Sequence, residues 1–194
     1  MRLTTLPTLA MALSLALPLS VMPLTALAQD ANPKAAPLAA AGEAVPADVA
    51  SVDAIVAALY DVISGPAGKA RDWNRLHSLF APQARMLAVG NRPDGSSPAA
   101  VMTVDDYIGR VTKPFADNGF YEREAARSTD AFGPIAHVFS TYESRHAPVD
   151  AKPFQRGINS IQLTFDGRRW WIANLVWRAE TEQQPLPARY APRQ

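Results

Sequence analysis

Residues 158–177, INSIQLTFDGRRWWIANLVW, contain the reading on which the fold turns. Asp166-Gly167 stands between two alternating apolar runs, the strongest short signal for a hairpin with a two-residue type I′ loop. With that loop, Phe165 faces Arg168, Leu163 faces Trp170, Ile161 faces Ile172 and Asn159 faces Asn174. Successive strand side chains point to opposite faces. One face therefore carries Asn159, Ile161, Leu163, Phe165, Trp170, Ile172, Asn174 and Val176, and this is the expected core face. The other carries Arg156, Ile158, Ser160, Trp171, Leu175 and Trp177. Two amides on an apolar face need partners, because an unpaired buried polar group costs about 1–3 kcal/mol. Either Asn159 and Asn174 satisfy each other and nearby backbone, or they point into a cavity and hold a ligand. The second face is too aromatic for plain solvent. It reads as the interface of a homodimer built on Trp171 and Trp177, or as a surface that loops or the tail cover.

Upstream of the hairpin the chain offers further strands and, before them, helices. Residues 120–128 and 135–146 are strand-like runs bounded by turn formers, and 154–165 and 168–180 are the hairpin arms. Residues 84–89 read as an earlier strand, followed by a loop over 91–98. Val52, Ile55, Val56, Leu59, Tyr60 and Ile63 recur at helical spacing behind Ser51, a cap, and before Gly65-Pro66, a stop. A second helix is expected over 72–80, with Trp73, Leu76, His77 and Phe80 on its inner face. A third starts at Thr103, with Asp106 completing an approximate capping box, and Pro114 ends or kinks it. Helices first and antiparallel strands afterwards make an α+β domain.

The ends of the chain are different in kind. Arg2, an uncharged apolar stretch from 6 to 24 broken by Pro7, Pro18 and Pro23, and then Ala26-Leu27-Ala28 form the three parts of a secretory signal peptide, cut after Ala28. The prolines and the Ala-x-Ala ending weigh against a membrane span. The expected location is periplasmic or secreted, with no membrane attachment after cleavage. Residues 29–50 are rich in alanine and proline and read as a flexible linker. Residues 181–194 read as a flexible tail, which leaves 51–180 as the domain. The chain has no cysteine, so its fold holds without disulfides and it has no thiol chemistry. Its 19 basic and 18 acidic residues become equal in number once Arg2 leaves with the signal. That balance argues against a nucleic-acid partner, which calls for a basic excess.

The side chains able to do chemistry are few. His77 lies on a helical face with Trp73 and Phe80. It reads as a hydrogen-bonded core residue or as a general base. His137 shares a strand face with Phe139, Thr141, Glu143 and Arg145, while His146 sits at a strand end. Glu143 with Arg145 is an ion pair on the sheet, or a base beside an anion clamp. Tyr107 and Tyr142 are hydroxyl donors for a pocket, or packed rings with a wet rim. The histidines lack metal-ligand spacing, and Gly65 and Gly68 lack the lysine and hydroxyl of a phosphate loop. No metal or cofactor is expected.

Asp72-Trp73-Asn74-Arg75-Leu76 leading to Leu79-Phe80-Ala81-Pro82, together with the ending at 165–174, resembles nuclear transport factor 2-like domains. The resemblance spans about residues 50–180 and rests on the order of loose motifs. It implies helices packed in the concave face of a strongly bent antiparallel sheet, a cone-shaped α+β barrel with a pocket at its open end and frequent dimers through the sheet. That superfamily includes ketosteroid isomerase, SnoaL-type polyketide cyclases, scytalone dehydratase and limonene epoxide hydrolase, beside members that only bind or assemble, so fold alone leaves the activity open. The isomerase and cyclase chemistries imply an aspartate or histidine base on a pocket-facing strand, where the last hairpin here carries asparagines. The expectation is an exported SnoaL-like domain that binds a small apolar molecule through Trp73, His77, Tyr107, Tyr142, Asn159 and Asn174. The alternatives are a lyase or isomerase acting on a carbonyl-bearing substrate, with His77 or His137 as base, and a dimeric interaction module.

Overall fold

A computed structural model describes residues 42–192. The expected signal segment with its cut after Ala28, and the linker up to residue 41, lie outside the described residues. Three helices and six strands follow one another, α1 (Val52–Ile63), α2 (Trp73–Leu79), β1 (Phe80–Val89), β2 (Ala99–Met102), α3 (Val104–Asp117), β3 (Tyr121–Phe132), β4 (Ile135–Arg145), β5 (Gln155–Phe165) and β6 (Trp170–Ala179). The strands form one open sheet in the order β2-β1-β6-β5-β4-β3. The α+β expectation is met. The sheet is mixed rather than wholly antiparallel, because β1 runs parallel to β6. These two strands are not consecutive, so no hairpin constrains their sense. Among the described residues, no helix is long and apolar enough to cross a membrane.

Local chemistry sets the helix ends. Ser51 Oγ accepts from Ala54 N at 3.0 Å and Asp72 Oδ1 from Arg75 N at 2.9 Å. Thr103 and Asp106 make the full reciprocal box. Pro114 sits inside the last turn of α3 and the helix runs on to Asp117. The helices cover the inner face of the sheet, which carries Val138, Tyr142, Ile161, Leu163 and Ile172, each no more than 1% exposed. Side chains such as Ile55, Leu76, Leu79, Phe80 and Met86 meet them in one core. Full burial of each large apolar side chain contributes about 1.5–3 kcal/mol.

The domain is longer than expected at both ends. Residues 46–49 form a 3-10 turn, Val49 is buried, and Arg75 clasps Asp48 at 2.7 Å. The segment expected as a flexible tail folds back on the sheet instead. Leu186 N donates to Glu180 Oε2, Thr141 Oγ1 donates to the Tyr190 carbonyl at 2.6 Å, and the Tyr190 ring lies 4.8 Å from that of Phe139.

The hairpin departs from its expected register in two places. Its loop has four residues, and Phe165 pairs with Trp170. Asp166 is the cause, since its Oδ1 accepts from both Arg168 N and Arg169 N and so builds a wider turn than Asp-Gly alone suggests. Farther along, Leu163 pairs with Ile172 but Gln162 pairs with Asn174, which leaves Ala173 as a bulge. A bulge adds one residue, so every side chain beyond it changes face. Asn159 therefore lies opposite Trp177, and Asn174 pairs with Gln162 and Arg85 on the outer face. Leu175 and Trp177 turn inward.

Candidate functional site

The inner face, α1 and α3 together enclose a cavity of about 250 Å³. Its walls are apolar and aromatic, with Leu59, Ile63, Leu76, Met86, Phe115, Phe120, Leu175 and Trp177 among them. Tyr107 meets Trp177 edge to face at 6.1 Å, and Phe115 stacks on Phe120 at 4.5 Å. Trp73 does not line the cavity. It supports the wall from behind, 6.5 Å from Phe115. Six polar side chains reach the lining, namely Glu122, Tyr107, Tyr142, Asn159, Gln155 and Arg110.

Glu122 is the acid of this cavity, and its position is fixed twice. The Ser64 hydroxyl, just past α1, accepts from Glu122 N at 3.0 Å, and one step earlier Gly65 and Phe120 exchange both backbone hydrogen bonds. The side chain is held by Ser144 Oγ, which donates to Oε2 at 2.8 Å, and by Asn159 Nδ2, which donates to Oε1 at 3.3 Å. Among the described residues no cationic group pairs with it. Burial therefore dominates and pushes its pKa from the ordinary 4.5 up to about 7, while the Ser144 and Asn159 hydrogen bonds pull the other way. Burial, and then the Glu122 charge, push the phenols of Tyr60, Tyr107 and Tyr142 upward as well. All three hydroxyls remain proton donors across the physiological range. The Tyr107 hydroxyl has no hydrogen-bond partner among the described residues, and that of Tyr142 has only a loose contact at 3.5 Å to Gln155 Oε1.

The expected site residues divide between this cavity and the outside. Tyr107, Tyr142 and Asn159 converge on it. Neither expected histidine does. His77 points away from the core to Asp105, with Nε2 2.9 Å from Oδ1. His137 lies on the outer face of β4, its Nε2 2.8 Å from Ser160 Oγ. Glu143 is on the same outer face, in an ion cluster with Arg123 at 2.7 Å and Arg145 at 3.0 Å. Burial alone would raise its pKa, but the two guanidinium groups hold it below the ordinary carboxylate range. That is the structural ion pair, not a base in a pocket. Asn174 is outside because of the bulge.

The proposed interface pair also separates. Trp177 lines the cavity, whereas Trp171 stays on the outer face. Trp171 is covered there by the Arg169 guanidinium 3.7 Å over its ring, and its Nε1 donates to Asp166 Oδ2 at 2.7 Å. Arg156, on the outer face of β5, pairs with Glu180 at 2.6 Å. The two tryptophans thus lie on opposite faces of the sheet. Among the described residues, no three His, Asp or Glu side chains converge to hold a metal ion.

No family model matches the chain, and no curated protein matches it. Among solved structures it is similar to a nuclear transport factor 2-like protein of unknown function from Silicibacter pomeroyi, at 17% identity and a TM-score of 0.46 over 68% of this chain and 94% of that one. A second such protein of unknown function, from Methylobacillus flagellatus, is 18% identical with a TM-score of 0.43 over 68% and 95%. A third, from Shewanella baltica, is 14% identical with a TM-score of 0.38 over 68% and 98%.

Proposed function

We propose that the cavity receives a small apolar molecule bearing a carbonyl group, and that Glu122 moves a proton on the carbon beside that carbonyl. This is isomerase or lyase chemistry with a carboxylate base in place of the histidine expected from the sequence. One observation supports it above the rest: a carboxyl without a cationic partner stands in the wall of an apolar cavity. Such a carboxyl is a poor structural element, because burying it costs free energy, and a good base, because its proton affinity is matched to neutral pH. Tyr107 and Tyr142 line the same space and respond to the same charge. Either hydroxyl can donate to the carbonyl oxygen as negative charge develops there, and it does so in surroundings that strengthen the interaction. The apolar wall selects substrates by shape and excludes water.

The test is deuterium exchange of the protons next to the carbonyl of 2-tetralone, a bicyclic ketone small enough for the cavity, followed by NMR in D2O. The wild-type protein is expected to accelerate exchange over buffer, with a rate that rises through about pH 7. Glu122→Gln should slow it by about a hundredfold or more, the usual share of a positioned base. Binding of the ketone with no accelerated exchange, or exchange indifferent to Glu122→Gln, would reduce the cavity to a binding site.

A further inference from the structure

A file of hydrogen bonds behind Glu122 fixes one more polar atom of the cavity wall. It starts at Arg127, which pairs with Asp53 and clasps Glu124, with Nε 2.9 Å from both carboxylate oxygens. A carboxylate so held only accepts. Ser140 Oγ, 2.6 Å from Glu124 Oε1, must therefore donate to it. The serine proton is then committed, so at the 2.7 Å contact between Tyr60 and Ser140 the tyrosine donates. Its phenol oxygen is left as an acceptor and takes Asn159 Nδ2–H at 3.1 Å. The second hydrogen of that nitrogen goes to Glu122 Oε1. Each step leaves the next no choice, and the file ends by setting which way the Asn159 amide points.

The consequence falls on Asn159 Oδ1. Both amide hydrogens are spent, and among the described residues no group donates to the oxygen. Among the described residues, no fully enclosed side-chain polar atom lacks a partner. The oxygen therefore keeps some accessible surface, although the residue as a whole is 6% exposed, and the space that Asn159 lines is the cavity.

Taking the cavity as the binding site argued above, we infer that Asn159 Oδ1 is a built hydrogen-bond acceptor beside Glu122, so that the ligand carries a hydroxyl or N–H donor next to the position where Glu122 acts. A keto group alone would leave this oxygen unpaired in a dry site. A hydroxy-carbonyl compound or a phenol satisfies it.

The experiment compares 2-naphthol with 2-methoxynaphthalene, which keeps the ring system and the ether oxygen and lacks the donor. Affinities are measured by calorimetry at pH 8 on the wild type, Glu122→Gln and Asn159→Leu. The expected result is a preference for the naphthol of about five- to tenfold, the worth of one neutral hydrogen bond. That preference should persist in Glu122→Gln and vanish in Asn159→Leu. Asn159→Leu also strips partners from Tyr60 and Glu122, so the wild type carries an independent readout: the Asn159 13Cγ resonance moves downfield on adding naphthol and stays put with the ether. A preference lost in Glu122→Gln, with a static 13Cγ signal, assigns the donor to the carboxylate. That overturns the inference and leaves the base reading intact. Equal affinity for the two probes overturns it as well, and binding of neither removes the cavity reading along with it.

Discussion

Glu122 carries a measurable cost even when nothing is bound. In the native chain its carboxyl titrates near 7, and in the unfolded chain near the ordinary 4.5. Between those values the native state holds a proton that the unfolded state has released, so stability falls as pH rises across the window and is level above it. Below the lower value both states are protonated and the cost is gone. Glu122→Gln removes this dependence. It should be more stable than the wild type at pH 8 by on the order of 3 kcal/mol, and close to it near pH 4. Urea unfolding at a series of pH values measures the difference, and parallel curves for the two proteins would contradict it. The residue was within reach of the sequence. The run 120–128 reads as a strand, and alternation places Glu122 on the same face as Phe120, an inward marker. What the sequence lacked was the helix end at Ser64 that brings this strand over the core. Without that contact, an acid in a charged stretch looks solvated. Tyr107, Tyr142 and Asn159 were legible because each is a polar group in an apolar pattern. The histidines misled because helical and strand periodicity ranks faces without saying which face of a short element looks outward.

At the scale of elements, the β5–β6 hairpin shows how far alternation carries. It placed Asn159, Ile161, Leu163 and Ile172 on the inner face correctly and failed from Ala173 onward, since a single bulged residue has no signature of its own in composition. β2, four residues long, was too short to show a period. The turn is the more tractable case. Asp166 accepts from two backbone N–H groups and from Trp171 Nε1, and Arg169 is poised over the same indole. These groups hold the four-residue turn and the outer tryptophan as a unit. Asp166→Ala should lower the unfolding free energy by about 2–3 kcal/mol in urea titrations. Asp166→Asn, which keeps the accepting oxygen, should recover about half. A loss below about 0.5 kcal/mol for the alanine variant would show that the backbone alone sets the turn.

For the whole molecule, the segment after Glu182 acts as a cover. Tyr190 and its neighbours lie across Phe139 and Thr141 on the outer face of β4. The aromatic outer face left cover by the tail as one reading, but composition alone read the segment as loose, because the packing of a proline-rich end depends on a sheet face that only the folded chain presents. Removing residues 183–194 should lower the thermal midpoint by about 4 °C. It should also produce concentration-dependent association in sedimentation, as the uncovered strand face seeks another partner. A truncated chain with unchanged midpoint and mass would mean that the cover is dispensable.

The order of the strands also sets a timetable. β6 is the last of the described strands in chain order, yet it sits between β1 and β5 and joins two halves of the sheet that share no other strand pairing among the described residues. In the folded sheet β3, β4 and β5 pair in one run and β1 and β2 in another, and β6 lies between the two runs. The halves can close on one another only after translation has delivered the final strand. Closure of the sheet therefore waits for β6, and the long sequence separation of β1 and β6 makes it a slow, non-local step. A premature stop before residue 170 would release fragments with exposed strand edges instead of a smaller version of the fold.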